Sequence, residues 1–149
     1  MADELFPTFS FPGEEDEGEE TEEKYYPSVS FDFSTGDFFM DGRNNMVQAS
    51  GREAYIQWCV KMASTERFAC LAYSDDQGVE LEGLSGSMGW EEIESEIERT
   101  ITEAIEANPA TEYVGDFEFD HKGSDCTVSF TVKGKEWTEE SLSIHVNVR

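Results

Sequence analysis

From residue 28 onward the chain alternates in the manner of a half-buried strand: Val29, Phe31 and Phe33 are separated by Ser30 and Asp32. Ser34-Thr35-Gly36-Asp37 follows as a turn, Phe38-Phe39-Met40 as a second short strand, and Asp41-Gly42 as another hairpin signal. A third short strand is expected at Met46-Val47-Gln48. The period then changes. Ser50-Gly51-Arg52-Glu53 reads as a capping box, with Ser50 as the cap and Glu53 reaching back to it. Behind it Tyr55, Ile56, Cys59, Val60 and Ala63 recur at helical spacing, and Thr65-Glu66-Arg67 ends the helix. The apolar run at residues 68–73 is short and bounded by Ser74-Asp75-Asp76-Gln77-Gly78, which predicts a strand or buried extended segment.

Gly83, Gly86 and Gly89 punctuate a loop before a second helix. There Trp90, Ile93, Ile97, Ile101, Ala104 and Ile105 form one apolar stripe. Glu91, Glu92 and Glu94 suit its positive N-terminal end, and Asn108-Pro109 stops it. Three strands are expected after it, at residues 113–119, 126–132 and 142–148, joined by short turns. Clustered strands with short connections pair antiparallel. The fold class is therefore α+β: a small, mostly antiparallel sheet with two main helices, preceded by an extended N-terminal arm.

That arm is residues 1–13, in which Pro7 and Pro12 forbid a regular helix and hold Phe6 and Phe11 extended. Phe6, Phe9 and Phe11 are wasted apolar surface unless they dock on a partner or on the chain's own domain; the expectation is a partner protein. Residues 14–24 are a solvated acidic linker, and residues 25–149 form a single domain.

Charge narrows the choice of partner. The net charge is −24, with ten acids against one base in residues 1–24 and twenty-four against nine in the rest. Such a field repels nucleic acid and anionic lipid, and favours a basic protein partner. No apolar run is long enough to span a bilayer, and Met1-Ala2-Asp3-Glu4 does not open a secretory signal, so cytoplasmic assembly is expected. Cys59, Cys70 and Cys126 are odd in number and widely spaced, which suits neither a disulfide framework nor a zinc site. Cys59 and Cys70 read as small core side chains.

Candidate chemistry is sparse. Asp116, Glu118 and Asp120 alternate with Phe117 and Phe119 and read as a solvated strand face, since an acidic chain offers carboxylate pairs everywhere. The segment at residues 74–80 lacks the alternating oxygen ligands of a calcium loop. The glycine-rich stretch before the second helix lacks the lysine of a phosphate loop. No cofactor or metal is expected. Arg67 stands out as a fixed base beside an apolar run. It decorates the helix end, makes a bidentate contact with a carboxylate at an interface, to which its planar fork is suited, or holds the loop after the first helix.

Two stretches carry a resemblance: Ile56-Gln57-Trp58 through Thr65-Glu66-Arg67-Phe68-Ala69, and Tyr73-Ser74-Asp75-Asp76-Gln77-Gly78-Val79-Glu80-Leu81. They are similar to the sheath-initiator family of contractile phage tails and tailocins, the gene-25-like baseplate wedge proteins. Leu5-Phe6-Pro7-Thr8 resembles the start of its prophage branch. Thr65 stands here where other branches have a Glu-Pro-Arg turn. The resemblance implies a structural, non-enzymatic protein in a ring of six copies around the tail tube. Its partners would be the sheath protein, baseplate wedge proteins and tail tube proteins. It also implies that an open sheet edge templates the first sheath ring by strand pairing. The C-terminal strand fits, with Ile144, Val146 and Val148 on one face and no proline or lysine in residues 141–148. A proline at Val146 is expected to cost the free domain little. The residues expected to meet partners are thus Phe6, Phe9, Phe11, Glu66, Arg67, Ile144, Val146 and Val148. The alternative function is an acidic inhibitor or anti-adaptor that binds a basic partner.

Overall fold

The structure, a computed structural model, describes residues 25–148. Four strands of two residues each come first: β1 (Ser28–Val29), β2 (Phe31–Asp32), β3 (Asp37–Phe38) and β4 (Gln48–Ala49). Helix α1 (Arg52–Ser64) and helix α2 (Trp90–Glu106) follow, then three longer strands, β5 (Thr111–Lys122), β6 (Asp125–Gly134) and β7 (Glu140–Asn147). The long strands make an antiparallel sheet of order β5-β6-β7, and both helices cover one face of it. This is the α+β arrangement expected from the pattern.

The core lies between that face and the helices. Helix α2 buries Ile93, Ile97, Ile101, Ala104 and Ile105 of the stripe read from its period, whereas Trp90, at its first turn, is exposed. Strand β6 alternates without a fault and buries Cys126, Val128, Phe130 and Val132. Strand β7 buries Leu142, Ile144 and Val146, with Val148 buried just beyond its end. Tyr55 on α1 stands against Trp137 and donates from its hydroxyl to Thr111 Oγ1 at 3.0 Å, which ties α1 to the start of β5.

Four local expectations are corrected. The start of α1 has no side-chain cap: its N-cap is Gly51, and Glu53 accepts a hydrogen bond from the Ser30 hydroxyl at 3.0 Å. That partner lies far off in sequence and outcompetes the local box. Residues 68–73 are turns, with Phe68 at φ 66° and Leu71 fully exposed. No strand lies beside this run to take up its backbone groups. Cys70, in the same run, is exposed and not a core side chain. Finally, in the segment around β1 and β2 the buried residue is Ser30, while Phe33 faces solvent. The segment changes partner at Ser30, from β4 to β3, and this breaks the simple alternation.

Candidate functional site

Thr65 is the C-cap of α1 in an extended conformation, so the chain leaves the helix running beside residues 78–82. Val79 N–H donates to Thr65 O at 2.8 Å and Arg67 N–H to Val79 O at 2.7 Å, a short parallel bridge. The Glu66 carboxylate accepts from the Leu81 amide at 3.1 Å and the Glu82 amide at 3.3 Å. Arg67 donates from both Nε and Nη2 to the Gly78 carbonyl, at 3.2 and 3.1 Å. Within the chain its fork is thus bidentate on a backbone carbonyl and not on a carboxylate, and it holds the loop after α1. The carboxylates it meets are more distant, Glu80 at 3.8 Å and Glu103 at 3.7 Å.

Together these groups clasp residues 78–82 between the two helices. Glu80 N–H donates to Thr100 Oγ1 on α2 at 2.8 Å, and Thr100 is fully buried. Gly78 must be glycine, since its φ is 95° and a Cβ there would lie 2.6 Å from Thr65 O. The Arg67 side chain is only 12% exposed. Arg99 extends the ion-pair network to Glu80, Glu96 and Glu103, but those groups are well exposed and add little stability. The clasp leaves the loop at residues 68–77 projecting, with Phe68 and Leu71 in solvent.

The sheet has two edges of different character. At β5 the register shifts twice, Asp116 sits at φ 55°, and Glu112, Asp116, Glu118 and Asp120 are exposed along it. Bulges and charges of this kind discourage further pairing. Strand β7 runs in unbroken register with β6 from Glu140 to Asn147. Ser143, His145 and Asn147 make cross-strand contacts to Ser129, Thr127 and Asp125. Val148 N–H donates to Ser124 O at 2.8 Å, so by alternation Val146 and Ile144 also point their backbone groups toward β6. The outward groups belong to Ser143, His145 and Asn147. Ile144 and Val146 side chains are 5% exposed and lie in the core. A proline at Val146 would therefore break the inner ladder, contrary to expectation, and the probe of the edge belongs at His145.

Beside α1 an open groove of about 720 Å³ is lined by Tyr26, Val29, Phe31, Phe33, Phe38 and Trp58, with Lys61 at its wall. Sequence reading missed it, because its walls come from elements that meet only in the folded chain. Phe6, Phe9 and Phe11 lie outside the described residues.

Among the described residues no group of three or more His, Cys, Asp or Glu side chains could hold a metal. Burial pushes the Cys59 thiol up to about 12, which keeps it protonated and inert. Asp116, Glu118 and Asp120 are all exposed, as a solvated face should be. Among the described residues no helix is long and apolar enough to cross a membrane.

The described body is thus α+β, with one sheet edge guarded by bulges and charges and the other in unbroken register. The family model for the contractile injection system sheath initiator matches residues 28–136, and the chain belongs to that family. No curated protein matches the sequence. Membership makes the chain a structural component of a contractile injection system, of the phage-tail or tailocin baseplate kind. It also implies contact with sheath and with baseplate or tube components.

Proposed function

We propose that the chain links the baseplate wedge to the tail tube and templates the first sheath ring through the outer edge of β7, as one of six copies assembled in the cytoplasm. The observation that carries this reading is the state of that edge. It offers eight residues in unbroken register, no proline and no lysine, and the outward N–H and C=O groups of Ser143, His145 and Asn147. An extended sheath segment adding there would draw affinity from backbone hydrogen bonds and specificity from alternate side chains. Ile144, Val146 and Val148 then contribute from within, by holding the edge flat against the core.

Glu66 and Arg67 serve the assembly in a similar, indirect way. Their polar groups are taken up inside the chain, and what they present is the projecting loop with Phe68 and Leu71. A wedge or tube partner that covers those two side chains is part of the proposal.

His145→Pro tests the edge. It removes an outward donor and spares the inner ladder, the setting in which a strand tolerates proline. Tubes without sheath by electron microscopy, from a variant whose thermal melt stays close to wild type, are expected. Fully sheathed particles would overturn the reading.

A further inference from the structure

Among the described residues the groove beside α1 is apolar and open: Tyr26 is 87% exposed, Phe33 46% and Phe38 43%. Its volume of about 720 Å³ fits a few side chains and not a folded partner, being in the range of sites that bury a small ligand. Among the described residues no acid lines it and the one base at its wall is Lys61. We propose that this groove binds residues 5–11 of the same chain, with Phe6, Phe9 and Phe11 against its rings.

Three observations single out that occupant. Tyr25 and Tyr26 themselves line the groove, so the segment that precedes them is delivered to its mouth. The thirteen residues from 12 to 24 reach at most about 45 Å when extended, ample for a turn back over α1. A short tether of this kind holds its end at an effective concentration of order millimolar. The segment is also chemically matched. Leu5, Phe6, Phe9 and Phe11 are apolar, and Pro7 and Pro12 restrict Phe6 and Phe11 to extended geometry, which lowers the entropy lost on docking. Charge selects the place. Asp3 and Glu4 precede the segment and an acidic block follows it, so the rest of the acidic body repels it while a neutral groove with one lysine does not.

The partner of the three phenylalanines is then the chain's own groove. The test uses the full chain with p-benzoylphenylalanine in place of Phe9, irradiated as an equal mixture of nitrogen-14 and nitrogen-15 protein. Crosslinks to peptides bearing Tyr26, Phe33 or Trp58, each within one isotopic species, are expected. Phe33→Asp should lower their yield about tenfold, since a carboxylate among those rings has no partner, and should leave the thermal melt near that of the parent. Crosslinks to another surface, mixed isotopic species that reveal a second copy, a yield indifferent to Phe33→Asp, or no crosslink at all would each overturn the proposal. The experiment needs no particles, so its failure is separate from failure of the sheath-edge reading.

Discussion

Strand β6 and the segment around β1 and β2 carry the same alternation of apolar and polar residues, yet only β6 buries its apolar set. Cys126, Val128, Phe130 and Val132 all lie in the core, whereas Phe33 is exposed and the buried member of its segment is Ser30. The difference is in the neighbours. Strand β6 has a partner on each side over most of its length and helices over one face, so its whole apolar set meets a packed surface. The first segment has ladders of two residues and changes partner between them. Alternation reports that a strand has two faces. Which face is covered depends on what packs there. The part with many long-range partners became the body, and the part with few became a surface that presents aromatic rings.

Substitutions should separate the two regions by size of effect. Phe130→Ala in the body removes a ring stacked 5.5 Å from Phe117, and should cost about 3–5 kcal/mol in urea unfolding. A loss under about 1 kcal/mol would mean that the body is not the close-packed unit described. Gly78→Ala drives a Cβ into the Thr65 carbonyl at a positive φ and should cost about 2–3 kcal/mol. Equal stability there would show that the clasp yields. Arg67→Lys keeps the charge but not the fork on Gly78 O, and should cost about 1–2 kcal/mol with a loss of particle assembly. A lysine variant that assembles as well as wild type would reduce Arg67 to its charge.

In the first region the effects should be small. Met46→Ser, at a side chain more than half exposed, should shift stability by no more than about 0.5 kcal/mol. A larger loss would place that residue in the packed body. The slightest expected effect is on pH dependence. Hydrogen bonds from the Asn45 and Arg43 amides hold the Asp41 carboxyl below its ordinary 3.8. A depressed value of this sign stabilises the turn above 3.8 and is lost as pH falls through the folded value. The Asn45 amide shift, followed by NMR, should titrate with a midpoint under 3.8, and a midpoint at or above it would remove Asp41 from the turn.

Much of the body was legible because its signals are local and agree with one another. The stripe of α2 repeats at the helical period through seventeen residues, and both its ends carry their own punctuation. The three closing strands alternate and are separated by turn residues, so their extents needed correction only at the ends. Residues 68–73 misled for the opposite reason. An apolar run predicts burial only if the fold supplies a surface to bury it against, and here the clasp at Glu66 and Arg67 turns the chain outward. Ser50 and Glu53 showed the same limit at short range, since a capping motif is a competition that Ser30 won.

Sequence alone determined the two helices, the antiparallel class, the strongly acidic charge, and the resemblance that the family match bears out. Each of these depends on residues close together in the chain or on totals over it. Tertiary structure alone decided that Arg67 forks onto a carbonyl, that the outward groups of β7 belong to Ser143, His145 and Asn147, and that an aromatic groove lies beside α1. Those features join residues that are distant in sequence, and a periodic pattern cannot say which distant residues will meet. Contact between them is settled only when the whole chain finds one packing that satisfies its core and its backbone together.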